Sequence, residues 1–80
     1  MTPNQKAVRQ MLRTAGFFTS SLRLVKDGVM ISEEVLSYHR CSAIDEYVCY
    51  LVGEQHLAVE NIKGGAVFTL GQNAPTNMAR

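Results

Sequence analysis

Two helix starts sit ten residues apart in the middle of the chain, and they leave no room for a loose connection between them. In ISEEVLSYHRCSAIDEYVCYLVGEQ, residues 31–55, Ser32 is an N-cap with Glu33 and Glu34 behind it, where the helix dipole favours acids. Ser42 caps a second start, and Asp45 three residues on forms a capping-box-like pair with it. Val35 and Leu36 give the first helix its buried side. Ile44, Tyr47, Val48 and Leu51 give the second an inward stripe at i, i+3, i+4 and i+7. Only two or three residues separate the helices, so the chain must turn sharply between them.

A hairpin follows. Gly64-Gly65 is a strong turn signal. With those two residues as the loop, Lys63 pairs with Ala66 and Val59 with Leu70. Leu57, Val59, Phe68 and Leu70 then share one face, so turn position and hydrophobic alternation agree.

The N-terminal helix has the clearest start. Thr2 is its N-cap, Pro3 occupies the first helical position, and Gln5 completes a Thr-x-x-Gln capping box. Val8, Met11, Leu12 and Ala15 form an apolar stripe, Lys6, Arg9 and Arg13 fall on a different one, and Gly16 is a natural stop. Between this helix and Ser32 two readings stay open. Asp27-Gly28 suits a two-residue type I′ turn, which puts Leu22 and Leu24 on a face with Val29 and Ile31. Alternatively Thr19 to Lys26 is a short helix and only Val29 to Ile31 is strand. The strand over 29–31 is the favoured element.

With helix, strand, helix, turn, helix and hairpin in order, residues 29–70 resemble the core of the winged helix-turn-helix superfamily. The carrying features are a short strand before Ser32, a Glu-Val-Leu helix, a tight turn and a helix ending in Tyr-Leu. A Leu-x-Val strand and a Gly-Gly wing running into Phe-Thr-Leu complete them. The resemblance covers about half the chain and is one of pattern, without an invariant motif. It implies an α+β winged helix-like fold, three helices with a C-terminal β-hairpin wing and an extra hairpin or short helix at 19–31. Residues 1–71 would be one domain and 72–80 a polar, flexible tail. The size is similar to that of small regulators carried by bacteria and their phages. Such proteins are DNA-binding transcriptional regulators that place the second helix of the pair, here Ser42 to Glu54, in the major groove, while the wing, here around Lys63, approaches the backbone.

The charges qualify that expectation. Residues 1–26 hold five cations, Lys6, Arg9, Arg13, Arg23 and Lys26, and no acid. Residues 27–70 hold seven acids against Arg40 and Lys63. The outward side of the second helix offers Ser42, Asp45, Glu46, Cys49 and Gly53, with Tyr50 on its flank, and no Arg, Lys, Asn or Gln to read bases. A DNA contact set is therefore Lys6, Arg9, Arg13, Arg40, Ser42, Tyr50 and Lys63, with phosphates met mainly by the first helix and the wing. The ordinary alternative for the basic stripe is a solvated helix face. A protein-interaction module, including a phage-type inhibitor of host machinery, would instead use Asp45, Glu46 and Cys49 against a basic partner.

The remaining constellations carry less. His39, Cys41, Cys49 and His56 include zinc-type ligands, but their spacings of two and seven residues lack the tight pairs of finger sites. Cys41 and His39 do not by themselves make a nucleophile–base pair. No phosphate loop, paired acid or nucleophile elbow is present, so neither an enzyme, a metal nor a cofactor is expected. Phe17-Phe18 is core material, a dimer contact or a partner anchor. No apolar run approaches the roughly 18 residues of a membrane span, the start lacks a signal-peptide core, and the two cysteines fit reduced thiols. A cytoplasmic protein follows as the expectation. A domain of this size buries only about 60% of its unfolded surface, which favours a homodimer.

Overall fold

The computed structural model describes residues 1–74. It is an α+β fold in which three helices cover one face of a four-stranded antiparallel sheet. The elements run α1 (Pro3–Ala15), β1 (Arg23–Val25), β2 (Gly28–Ser32), α2 (Glu33–Tyr38), α3 (Ala43–Gly53), β3 (Leu57–Ile62) and β4 (Gly65–Leu70), with one 3-10 turn at Thr19–Ser21. The sheet order is β1-β2-β4-β3.

Helix α1 starts as its sequence dictates. The Thr2 hydroxyl accepts from Gln5 N–H at 3.1 Å, and Gln5 Oε1 accepts from Thr2 N–H at 2.8 Å. The same Gln5 amide also donates to the Val25 carbonyl, tying the start of α1 to the end of β1. Gly16 closes the helix at φ 125°, a conformation that glycine adopts without strain. Val8, Met11 and Leu12 are buried against Val29, Ile31, Ala66 and Phe68, which alternate along β2 and β4 and line the helix-facing side of the sheet. Full burial of a side chain such as Leu12 is worth about 1.5–3 kcal/mol.

Residues 19–31 combine the two readings of the sequence: a single helical turn first, then a hairpin. Both hairpin loops fall one residue earlier than the turn signals place them. Val25 pairs with Gly28, so the first loop is Lys26-Asp27. Ile62 pairs with Gly65, so the second is Lys63-Gly64, and Val59 faces Phe68 rather than Leu70. In each loop the second residue takes the left-handed conformation, Asp27 at φ 56° and Gly64 at φ 90°. The pairing slips by two residues, and because side chains alternate with period two, every residue keeps its expected face. The reason for the slip lies in β2 and β4. Gly28 and Gly65 open these strands at opposite ends of their pairing, each against the neighbour's backbone. A Cβ on Gly28 would meet the Phe68 carbonyl oxygen and one on Gly65 the Ile31 carbonyl oxygen. Both glycines are needed inside the ladder, not in the loops.

The β3–β4 hairpin is not a free-standing wing. Four β2–β4 pairs, Val29 with Phe68 through Ser32 with Gly65, join the two hairpins into one sheet. Helices α2 and α3 begin at the expected caps, with Ser32 Oγ accepting from Val35 N–H and Ser42 Oγ from Asp45 N–H. The inward stripe of α3 is rotated from the expected one. Val48 and Leu51 are buried and Ile44 and Val52 pack against the core, whereas Tyr47 is 38% exposed and lies beside Tyr50. The chain after β4 is tied back at Gly71, whose N–H donates to the His56 carbonyl, and within the expected tail at Asn73, whose N–H donates to the Gln55 carbonyl; residues 75–80 lie outside the described residues.

Two glycines separate these constraints. Gly65→Ala forces a methyl into a backbone carbonyl and should cost about 2–3 kcal/mol. Gly53→Ala, at the end of α3 with nothing within 4 Å of the new carbon, should stabilise by about 0.5–1 kcal/mol. Urea unfolding of the two variants measures both.

Candidate functional site: the groove between the helix pair and the hairpin

Burial along β3 falls abruptly. Leu57 is 1% exposed beneath α3, whereas Val59, two residues on and on the same face, is 41% exposed. Helix α3 ends at Gly53 and the chain turns through Gln55, at φ 62°, into β3. Beyond Leu57 the hairpin runs out past the helix layer. The result is an open groove of about 570 Å³ between α3 and the hairpin, with α2 at one end.

Its α3 wall is one helical stripe, Asp45, Val48, Cys49, Val52 and Gly53. Opposite stand Val59 and Asn61 of β3, and the floor is closed by Ala66 and Phe68 of β4. From α2 come Glu33 and Leu36, and Arg40 joins them from the turn that follows. The inside is thus largely apolar, with Glu33, Arg40 and Asp45 at its rim. Arg40 Nη2 lies 3.9 Å from Glu33 Oε1, with both side chains more than 60% exposed. Such an exposed pair contributes at most about 1 kcal/mol and leaves Arg40 free to turn to another partner.

The tight turn between α2 and α3 fixes the acidic wall. Cys41 is left-handed at φ 62°, which reverses the chain. Asp45 Oδ2 accepts from Cys41 N–H at 3.0 Å, one residue before the cap, so the expected box closes around the turn residue instead of Ser42. The Ser42 hydroxyl accepts from Asp45 N–H at 3.3 Å and donates to the His39 carbonyl. The Gly64 carbonyl accepts from Glu33 N–H at 2.9 Å, which docks the hairpin tip on the first residue of α2.

The structure gathers some of the residues singled out from sequence and separates others. Arg40, Asp45 and Cys49 meet in the groove, and Lys63 stands at the adjoining hairpin tip. Glu46 is exposed on α3. Ser42 is occupied as a cap. Tyr50 lies on the flank of α3, 6.0 Å from the Tyr47 ring and 6.3 Å from His56. The basic stripe of α1 lies elsewhere. Lys6 follows Gln5, whose amide reaches Val25 beside the Lys26-Asp27 loop. That loop and the Lys63-Gly64 loop precede β2 and β4, which run antiparallel, so they mark opposite ends of the sheet. Arg9 is half-buried, and Arg13 Nη1 donates to the Phe17 carbonyl at 2.9 Å. The start of α1 and Lys63 therefore stand toward opposite ends of the sheet, whereas Arg13 reaches Phe17, whose ring packs on His39 beside Arg40.

Among the described residues, no three of His, Cys, Asp and Glu gather as metal ligands. His39 packs edge-on against Phe17 at 5.2 Å, and His56 Nδ1 lies 2.9 Å from the Asn73 carbonyl oxygen. Cys41 and Cys49 are free and exposed. Phe17 is core at 2% exposure, whereas Phe18 is 71% exposed. No helix among the described residues is long and apolar enough to cross a membrane. Glu33, Val52, Val59 and Asn61 were not anticipated as site residues. The signal for Val52 is its place four residues after Val48, and for Asn61 its parity with Leu57 and Val59. Comparison with family models, with curated proteins and with solved structures finds no match to this chain.

The cap at the groove's wall is open to test. Ser42→Ala removes one acceptor from the start of α3 and should lower stability by about 1 kcal/mol, read as a fall in the thermal midpoint with the sheet's amide protection retained.

Proposed function

We propose that this chain is a winged helix-type protein-interaction module whose docking site is the groove between α3 and the β3–β4 hairpin. The observation that carries this reading is the composition of the groove. An apolar interior is framed by Glu33, Arg40 and Asp45, and the helix side of it, Asp45, Val48, Cys49, Val52 and Gly53, offers none of the cations and amides with which a helix reads bases. The exposed surface of α3 adds Glu46, Glu54 follows directly after the helix, and no cation lies between Ser42 and Glu54.

The occupant that fits is a segment of a partner protein with one apolar side chain and a neighbouring Lys or Arg. The apolar side chain enters between Val52, Val59 and Phe68, removing apolar surface from water on both sides at about 25 cal/mol per Å². The cation meets Asp45 or Glu33 at the rim. Arg40 then has a role in selection, because a second cation placed toward α2 would be repelled. A groove of this size holds one or two side chains, which suits a transient contact anchored by a few residues.

DNA binding is the second reading. The order of elements favours it, with β2 entering the sheet beside the hairpin and two closely coupled helices in between. Arg40 and Lys63 would then contact phosphates from the end of the sheet where α2 begins.

A display library of random peptides distinguishes the two. Selection on the purified chain should enrich an apolar residue within a few positions of Lys or Arg. Binding should drop at least about tenfold in Cys49→Arg, which places a large cation in the groove from an exposed position. Asp45→Lys with Glu46→Lys should weaken basic peptides selectively. If instead no peptide is enriched and duplex DNA binds at low salt, with affinity lost in Arg40→Ala or Lys63→Ala, the module is a DNA binder.

A further inference from the structure

The face of the sheet turned away from the helices is as unusual as the groove. An antiparallel sheet with one solvated side ordinarily carries polar residues there. Here the outward positions of the two central strands are Gly28, Met30 and Ser32 on β2 and Gly65, Val67 and Thr69 on β4, with Val25, Ala58 and Ile62 on the flanking strands. The glycines at the two ends keep the surface low, and Met30 and Val67, paired directly, form its central ridge. Ile62 is 39% exposed, and Met30, Val67 and Thr69 are half-buried.

One row across this face carries its charges. Arg23 pairs with Met30, Met30 with Val67, and Val67 with Glu60, so the four side chains lie in line on the outward side. A cation stands on one edge strand and an acid on the other. They are about 14 Å apart, three strand spacings, and cannot meet within the chain. Both are exposed, and neither forms an ion pair among the described residues.

We propose that this face is a homodimer interface, with a two-fold axis running parallel to the strands between β2 and β4. That rotation places β1 of one protomer over β3 of its partner. In the central row Arg23 then faces the partner's Glu60, Glu60 faces the partner's Arg23, and the Met30–Val67 ridge packs on itself. The row reads cation, apolar, apolar, anion, which is the pattern that becomes its own complement under such a rotation. Face-to-face sheets pack within about 30° of parallel, which keeps the central row in register. The second copy is favoured over any other partner because both charges are satisfied twice by one operation, and because the basic first part of one chain thereby meets the acidic second part of the other. The face spans four short strands, so the dimer belongs to the small, concentration-dependent class of interfaces.

Sedimentation equilibrium over a roughly hundredfold concentration range tests this on the full chain. The wild-type chain should show a reversible monomer–dimer equilibrium. Arg23→Glu and Glu60→Arg should each weaken it by about tenfold or more, since each change sets two like-charge contacts into the symmetric interface. Mixing these two variants should restore dimers, as heterodimers, because every crossed contact is then complementary. The double variant Arg23→Glu with Glu60→Arg should also dimerise. Cys49→Arg, in the groove on the other side of the sheet, should leave the equilibrium unchanged. A wild-type chain that stays monomeric across the range overturns the proposal. So does a dimer indifferent to the single changes, or single variants whose folded monomers do not associate on mixing. The peptide selection reads the groove alone, so either result stands without the other.

Discussion

The pairing of β2 with β4 is the constraint on which the rest of the structure depends. Each hairpin closes locally, through a two-residue loop with one left-handed residue, and neither alone would bury a core. Joined through residues 29–32 and 65–68, they form a surface broad enough for three helices. The chain between β2 and β4 contains α2, α3 and β3, so this contact spans more than thirty residues and closes a long loop. Gly28 and Gly65 stand at its two ends with no room for a side chain. The core follows from it: Val29 and Ile31 are fully buried because Phe68 and Ala66 lie beside them under α1.

What was legible in the sequence follows the range of each interaction. The caps at Thr2, Ser32 and Ser42 appear as expected because a cap is a contact over three residues, decided by local chemistry. The strand faces were legible because period two survives a slip of two residues, while the register itself was not. The turn signals Asp27-Gly28 and Gly64-Gly65 describe which residues tolerate a reversal, but the glycines at the second positions are held in the ladder by a neighbour far away in sequence. Tyr47 shows the same limit on α3. Helical spacing admits Tyr47 or Val52 beside Val48 and Leu51, and the position of the sheet decides for Val52. The groove was least legible of all, since it arises where the hairpin outruns the helix and no residue type marks that divergence. Asp45 and Cys49 were identified as an outward face, but the wall opposite them, Val59 and Asn61, came from a strand expected to lie against the core.

The charge asymmetry of the chain acquires a spatial meaning from the topology. The basic first part contributes α1 and β1, and the acidic second part contributes α2, α3 and β3. Because β1 and β3 are the two edges of the sheet, the asymmetry along the sequence becomes one across the sheet. Lys26 and Lys63, which hold equivalent places in the two loops, point to opposite ends because β2 and β4 are antiparallel. This arrangement makes an acidic helix wall on one side of the sheet and a cation-to-anion row on the other.

These two surfaces are compatible by geometry. Packing the outward faces together about an axis parallel to the strands leaves the helix layers outermost, so the two grooves of a dimer open on opposite sides. Neither protomer covers its partner's groove, and both share the β3–β4 hairpin as a wall on one side and an interface on the other. A partner with two suitable segments on a linker long enough to pass around the dimer would bind with the effective concentration that such a linker sets, whereas a rigid partner would engage one groove only. Dimerisation would also stiffen the hairpin, because Glu60 and Val67 are held from outside while Val59 and Phe68 line the groove from inside. Association and docking would then act on the same two strands from opposite faces, so each surface can be occupied with the other free.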